Sequence, residues 1–311
     1  MSEAAVEESL APAAEYGPSA GGRSQWAAAW VELRHKPLFW ISAVLIVVFV
    51  LMAIFPHLFT HTDPRFANLE LAREKPWLDG SIFGRDNQGR DIYARTIYGA
   101  RASLSVGLLG TLATTLVGVT MGLMAGFFGG WLDAVLQRLG EVFFSIPLLL
   151  GGVLFLYKFP TNVDAPLIVQ VLKIVLVLAL LGWPNIARLM RSAVMQVKPA
   201  DYVQAARALG ARPSRIVLSH IMPNALAPVI VVATINLGVY IATEATLSFL
   251  GIGLQSPAIS WGSDISDASG LGLIRAAPYM LLFPSLFLSL TVLAFILLGD
   301  AVRDAFDPKL R

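Results

Sequence analysis

Two histidines are the closest approach of this sequence to a metal-binding motif. His57 and His61 lie four positions apart, so a helix running through both would place the two imidazoles on one face. No third ligand lies nearby, Pro56 adjoins the pair, and the chain contains no cysteine, which excludes thiolate ligands and disulfide bonds. We therefore predict no metal site and interpret the two histidines as a helix end at an interface.

A carboxylate stands within a long apolar segment. Glu244 has Ile241, Ala242 and Ala245 as near neighbours in the sequence. An ionisable side chain at membrane depth generally contributes to function or contacts another helix. The residues alone leave two interpretations open: a functional carboxylate, or a protonated or paired structural one.

The motifs of two enzyme classes are missing. The phosphate-binding sequence G-x-x-x-x-G-K-[ST] does not occur, so the chain is not expected to hydrolyse ATP by itself. Neither H-E-x-x-H nor a credible Ser–His pair is present, which argues against an intramembrane protease. We predict a non-catalytic protein that binds no cofactor itself.

One polar, helix-forming stretch, residues 201–223, lies between two long apolar segments. It follows Pro199, and Gly210 is placed to end a short helix in the left-handed conformation that glycine adopts without strain. Residues 212–221 predict a second helix. Pro223 stands where the next apolar helix would start, at a position that tolerates a missing N–H.

The same stretch has the features of a docking helix. Ala205, Ala206 and Ala208 are small enough to let a partner approach closely, and Leu209 and Ile216 offer apolar side chains for contact. An amphipathic helix lying on the bilayer surface would also carry such a mixture of residues, and its composition does not separate the two interpretations.

Composition places the chain in a membrane. Hydrophobic residues make up 56% of the chain and charged residues 14%, and the mean hydropathy is +0.67, far from the balance of a soluble domain. A helix needs about 20 mainly apolar residues to cross a hydrocarbon core about 30 Å thick, and no alternating barrel pattern is visible. We predict an all-α, polytopic membrane protein. The six expected spans are 38–59, 102–128, 134–157, 165–181, 224–250 and 279–300, and Gly118, Gly122 and Gly126 form a small-residue ridge for close helix packing in the second.

The termini are predicted to be cytoplasmic. Residues 1–22 resemble a disordered segment and lack the features of a cleaved signal peptide. Lys and Arg are moderately enriched on the side that carries the N-terminus, while the basic residues of the first loop alternate with acidic ones, which indicates a structured loop with internal ion pairs. The expected organisation is a partly disordered cytoplasmic tail (1–37), the first transmembrane helix (38–59), an extracytoplasmic loop (60–101), a five-helix core (102–300) that contains a cytoplasmic coupling loop (188–223), and a cytoplasmic tail (301–311).

Several segments resemble the permease subunits of ABC importers, in particular the "C" subunits of the dipeptide, oligopeptide and nickel branch. Residues 204–223 are similar to the family's "EAA" motif, residues 83–104 to "GTDxxGRDxxSRxxYGxRxSL", and residues 247–262 to "LSFLGLGxxxPxxSWG". The resemblance covers nearly the whole chain from Pro37 onward. It implies the type I ABC importer fold, with six transmembrane helices and a cytoplasmic coupling helix.

The resemblance also implies partners. Such a subunit pairs with a homologous second permease, with two ATPase subunits that use ATP and Mg, and with an extracytoplasmic substrate-binding protein, in the plasma membrane of a bacterium. Membrane lipid surrounds the subunit, and no nucleic-acid partner is expected. Dipeptides or oligopeptides are the implied substrates. A stand-alone secondary transporter or channel is the alternative, which Gly and Pro within the spans would allow but which leaves the polar stretch unexplained.

The matched motifs assign roles to individual residues. Gln204 stands where the family usually has Glu, which removes an acidic contact with the ATPase. Because the family usually carries Glu at position 244 whatever its substrate, we favour a structural or gating role for Glu244 over one in substrate specificity. The ATPase-coupling residues implied are Gln204, Ala205, Ala206, Arg207, Leu209, Gly210, Arg215, Ile216, His220 and Pro223, and the residues implied to face the binding protein or to gate are Arg90, Asp91, Arg101, Glu244 and Trp261.

Overall fold

The computed structural model describes residues 25–78, 80–162 and 165–306. Within these ranges the chain is helical apart from turns, loops and two isolated β-bridges, so the predicted all-α class is confirmed. The helices are α1 (Gln25–Leu33), α2 (Pro37–Ile54), α3 (Ile92–Phe128), α4 (Gly130–Phe144), α5 (Leu148–Lys158), α6 (Leu167–Val197), α7 (Asp201–Ala208), α8 (Pro213–Ile216), α9 (Met222–Phe249), α10 (Trp261–Ala268), α11 (Leu271–Ala276) and α12 (Tyr279–Phe306).

Five helical segments of the described chain are long and apolar enough to cross a membrane. Four are the helices α2, α3, α6 and α12, and the fifth is the continuous helical stretch Pro213–Phe249, which comprises α8, the turn after it and α9. The predicted third span differs from these five. The helices α4 and α5 are together long and apolar enough for a sixth span, but their axes bend by 79° at the break between them. Pro147 immediately precedes α5, and a proline has no N–H with which to continue a helix. The expectation of one continuous helix over 134–157 is therefore wrong.

Several helix ends also differ from the prediction. α3 begins at Ile92, so residues 92–101, which we assigned to the first loop, are helical. α6 continues to Val197, so residues 188–197 belong to a helix and not to the coupling loop. Charged residues at these helix ends lower the local hydropathy. A prediction from apolar stretches alone therefore places the ends of α3 and α6 inside the real helices. α1 lies in the predicted N-terminal tail and α12 reaches Phe306, while the disorder predicted for residues 1–22 lies outside the described residues.

Close packing of α3 on α6 forms the centre of the bundle. Gly118, Gly122 and Gly126 face α6, and a Cβ atom on Gly126 would lie 2.9 Å from the Cβ of Val194 and 3.0 Å from the carbonyl oxygen of Arg191. Only glycine allows the two backbones to approach this closely. The predicted small-residue ridge is confirmed.

The first loop is structured, as its alternating charges predicted. Arg85 pairs with Glu74 at 3.1 Å and Arg90 with Asp86 at 2.5 Å. The ring of Phe83 stacks on Phe283 of α12 with a centroid separation of 3.8 Å. The loop therefore forms a fixed cap over the ends of the helices.

The opposite end of the bundle carries α7. The helices alternate in direction along the chain, so α3, α6 and α12 all end on this side. α1 packs against the end of α12 through a small buried cluster that includes Leu33 and Ala301, and Lys36 pairs with Asp304 at 3.0 Å. Residues near both termini thus lie on the same side as α7.

Candidate functional site

Residues 198–223, here called the coupling segment, fold as α7, a turn, α8 and a π turn (Val217–Ile221) that leads into α9. α7 is anchored to the bundle by Val203, which is fully buried in a cluster with Ile216 and Ile221. Sequence reasoning missed Val203, although its apolar side chain among polar neighbours was a usable signal. The anchor fixes the position of α7 relative to α6 and α9.

Gly210 ends α7 in the predicted conformation. Its φ is +77°, a value that favours glycine. The N–H of Gly210 donates to the carbonyl of Arg207 at 3.0 Å, and the N–H of Ala211 donates to the carbonyl of Ala206 at 3.1 Å. This pair of bonds is the Schellman cap, so the predicted left-handed cap is confirmed.

The outer face of α7 is free for contact within the described chain. Leu209 is 88% exposed, and a large apolar side chain so exposed at a helix end is suited to insertion into a partner. Gln204 donates from its side chain to the carbonyl of Lys198 at 3.0 Å, which holds the amide against its own segment. The other exposed members of the predicted set are Ala205, Arg207, Gly210 and Arg215, and Ala206 is partly exposed.

Three predicted coupling residues lie further in. Ile216 is only 3% exposed and packs in the cluster of Val203, so the expectation that it offers an apolar contact to a partner is wrong. The carbonyl of His220 accepts a hydrogen bond from the side chain of Asn224 at 2.8 Å. Pro223 lies in the first turn of α9, as predicted, just after the π turn.

Two polar contacts hold the start of the coupling segment and the end of α6 that leads into it. The ammonium of Lys198 donates to the carbonyl of Phe127 at the end of α3, at 2.7 Å. Seven residues earlier, Arg191 of α6 forms a bidentate pair with Asp133 of α4. The start of the coupling segment is thereby attached to α3, and α6, which leads into it, is attached to α4.

At the other end of the bundle, Arg90 and Asp91 hold local structure. Arg90 contacts both Asp86 of the loop and Asp267 of α10, the latter at 3.2 Å. Asp91 is buried and caps α3 by accepting a hydrogen bond from the N–H of Ala94 at 2.8 Å. The interpretation of Asp91 as a surface contact for another protein is therefore wrong.

A buried ion pair and a buried indole join α10 to α3. Arg95 donates to Asp264 through two N–H groups, one of them at 3.0 Å. Burial raises the pKa of the Asp264 carboxyl above its usual range, and the Arg95 guanidinium opposes that rise. Trp261 is fully buried and donates from its indole N–H to the carbonyl of Thr96 at 2.8 Å. Trp261 therefore packs inside the chain instead of facing a partner.

Glu244 is a buried structural acceptor. Its two carboxylate oxygens accept hydrogen bonds from Ser103 of α3 at 2.8 Å and from Ser248 of α9 at 2.7 Å. The Ser248 hydroxyl also accepts from the N–H of Leu254 at 3.0 Å. Glu244 thus links two membrane helices and the loop that follows α9. The sequence did not reveal Ser248 as a partner of Glu244, because Ser248 lies within an apolar run. It did not reveal Asp264 as a partner of Arg95, because the two residues are far apart along the chain.

Among the described residues, His57 and His61 do not belong to a cluster of potential metal ligands. The ring of His57 lies 3.3 Å from the hydroxyl of Tyr98, and the described residues contain no group of three or more His, Cys, Asp or Glu side chains that could hold a metal ion.

The family described as "Binding-protein-dependent transport system inner membrane component" matches residues 118–311, well over half of the chain, and the N-terminal membrane domain of oligopeptide transport permease C matches residues 24–76. The chain belongs to this permease family. The family is a non-catalytic, multi-pass membrane component of ABC importers, so the helical bundle just described is that of a permease.

Curated relatives support the assignment over nearly the whole chain. The permease is 37% identical over 288 residues to the oligopeptide transport system permease protein OppC of Bacillus subtilis, covering 93% of this chain and 91% of the relative. It is 37% identical over 285 residues to the dipeptide transport system permease protein DppC of the same organism, covering 91% and 85%. It is 32% identical to the glutathione transport system permease protein GsiD of Pectobacterium atrosepticum, covering 93% of both chains.

A solved structure shows the same fold. A chain of the MetNI methionine ABC transporter in an inward-facing conformation matches with a TM-score of 0.51 and 20% identity, covering 67% of this permease and 96% of that chain. The predicted type I ABC importer fold is therefore confirmed.

Proposed function

We propose that this permease is a membrane subunit of a bacterial peptide importer and that α7 transmits the conformational change of an ATPase to the membrane helices. The observation that carries the proposal is the structure of α7 itself: one face is anchored through Val203, and the other presents Leu209 and Arg207. A short helix that is rigidly attached on one side and exposed on the other is suited to transmit force between two subunits.

The assignment of the partners follows from the family and from this surface. Two ATPase subunits would bind ATP and Mg and contact α7, and a homologous second permease would complete the membrane path. A substrate-binding protein would deliver substrate on the opposite side. In this arrangement the side of α7 is cytoplasmic, and both termini lie in the cytoplasm of a bacterium.

The substrate class rests on the relatives. Two of them are named as oligopeptide and dipeptide transport permeases, and we extend peptide transport to this chain on that ground. Glu244 is fully buried and its two carboxyl oxygens accept hydrogen bonds from serine hydroxyls of the same chain, so it presents no exposed group to a peptide in this structure. Glu244 therefore serves the architecture of the path and not the choice of substrate.

The experiment that tests this function is an ATPase assay on the complex purified through a tag on this chain. Gly210→Pro removes an N–H donor of the Schellman cap and cannot adopt a φ of +77°. Gly210→Asn is the matched control, since asparagine tolerates the left-handed conformation. We expect the proline variant to lose hydrolysis stimulated by the binding protein, or to lose the ATPase subunits, and the asparagine variant to keep both.

Two results would contradict the proposal. One is that the chain purifies without ATPase subunits and transports in liposomes without ATP, as a stand-alone transporter would. The other is that Gly210→Pro retains full stimulated hydrolysis.

A further inference from the structure

Two adjoining clefts open at the end of the bundle opposite α7. Their volumes are about 270 Å³ and about 240 Å³, and Arg65 of the first loop and the segment 257–259 line both. The larger cleft also contains Arg101 and Tyr98 of α3 and Gln170 of α6. The clefts thus lie where the first loop, two membrane helices and the segment before α10 meet.

The charged residues that the structure describes in the lining of the larger cleft are both arginines. Among the described residues, no carboxylate lines it and neither Arg65 nor Arg101 has an ion-pair partner. The two arginines that line only the smaller cleft differ in this respect, because Arg90 is paired with Asp86 and Asp267, and Arg95 with Asp264. Among the described residues that line the clefts, the cationic side chains without an ion-pair partner therefore lie at the shared wall and in the larger cleft.

The two unpaired guanidinium groups are held differently. Arg101 donates from Nε to the carbonyl of Ala53 at 3.0 Å and from one terminal nitrogen to the carbonyl of Ile54 at 3.5 Å. These bonds orient its plane and leave its other terminal nitrogen for an acceptor. Arg65 is exposed. Its backbone N–H donates to the carboxylate of Asp63 at 2.9 Å, and its side chain makes no hydrogen bond to another described residue. A carboxylate is the acceptor that fits a guanidinium best, because its two oxygens match the fork of N–H donors.

We propose that the larger cleft receives acidic side chains of the substrate-binding protein, with Arg65 as the principal contact and Arg101 as a second. The proposal rests on the proposed function, because it requires a binding protein on the side opposite α7. Charges at the edge of an interface act mainly on association, so docking would be sensitive to salt.

The test measures the concentration of binding protein that gives half-maximal stimulation of ATP hydrolysis by the complete complex. Arg65→Gln removes the charge, and Arg65→Lys keeps it. Arg275→Gln is the matched control, since Arg275 is exposed in α11 at the same end of the bundle but lines neither cleft. We expect Arg65→Gln to raise the half-maximal concentration about three- to tenfold at low salt and to weaken its salt dependence. Arg65→Lys should fall between wild type and Arg65→Gln, and Arg275→Gln should match wild type.

Each alternative result has a distinct meaning. An unchanged half-maximal concentration for Arg65→Gln overturns the proposal. So does a half-maximal concentration that rises as much for Arg275→Gln as for Arg65→Gln, because only the total positive charge at this end of the bundle would then matter. The complex can also be assayed in nanodiscs that differ in anionic lipid content. If the effect of Arg65→Gln on ATP hydrolysis depends on that content and not on the concentration of binding protein, the occupant of the cleft is a lipid and the proposal is wrong. Failure of the wild-type complex to respond to any binding protein would instead contradict the proposed function.

Discussion

Asp133 of α4 and Arg191 of α6 form a bidentate ion pair, with both N–O distances at 2.6 Å. The two side chains are 20% and 29% exposed, respectively, so the pair is partly shielded from solvent. It joins the first turn of α4 to the part of α6 that leads into the coupling segment. The broken span formed by α4 and α5 is thereby attached to the same structure that carries α7.

Loss of this ion pair should weaken the attachment of α4. We expect Asp133→Asn to lower the free energy of unfolding by about 1 kcal/mol, because a planar, two-bond contact is replaced by a weaker neutral one. Thermal melting of the purified complex would measure the change. The double variant Asp133→Arg with Arg191→Asp is the control, and a double variant no more stable than Asp133→Asn would contradict the assignment.

Truncation of Glu244 should destabilise the contact between α3 and α9. Glu244→Ala leaves the Ser103 and Ser248 hydroxyls without their acceptor inside the bundle, and we expect a loss of about 1–3 kcal/mol. Glu244→Gln keeps one carbonyl acceptor and should have a smaller effect. Melting temperature and substrate selectivity are to be measured together. A change in substrate preference without a change in stability would argue against the structural role.

Enlargement of Gly126 should separate α3 from α6. The added methyl group of Gly126→Ala would press on Val194 and on the backbone of Arg191, and overpacking of this kind costs about 1–3 kcal/mol. Gly272→Ala in α11 is the matched control, since its Cβ would meet nothing within 4 Å. Equal melting temperatures for the two variants would show that the ridge is not a close contact.

The sequence predicted those features that depend on local residues. The cap at Gly210 follows from the conformational freedom of glycine, and the close packing of α3 on another helix follows from three glycines at a spacing of four, although the sequence did not identify α6 as that helix. The apolar spans follow from the thickness of a membrane. Each of these depends on residues that are neighbours along the chain or on one helix face.

Features that depend on distant residues were not predicted, and one local feature, the break at Pro147, was missed as well. The pairing of Arg95 with Asp264 joins positions 169 apart in sequence, and no local pattern indicates it. Ile216 carries an apolar side chain in a polar stretch, which is compatible with either a docking contact or a buried anchor, and the fold decides for the anchor. The break at Pro147 was missed because an average over a hydrophobic window ignores the missing N–H of one proline.

The most direct test of coupling through α7 is a crosslink from Leu209. Because the chain has no cysteine, Leu209→Cys creates a single attachment point for a maleimide photo-crosslinker on the exposed end of α7. Leu271→Cys, which is also exposed but lies at the opposite end of the bundle, is the matched control. The account predicts that illumination of the assembled complex joins Leu209→Cys, and not Leu271→Cys, to an ATPase subunit. No adduct with the ATPase from position 209, or equal adducts from both positions, would contradict it.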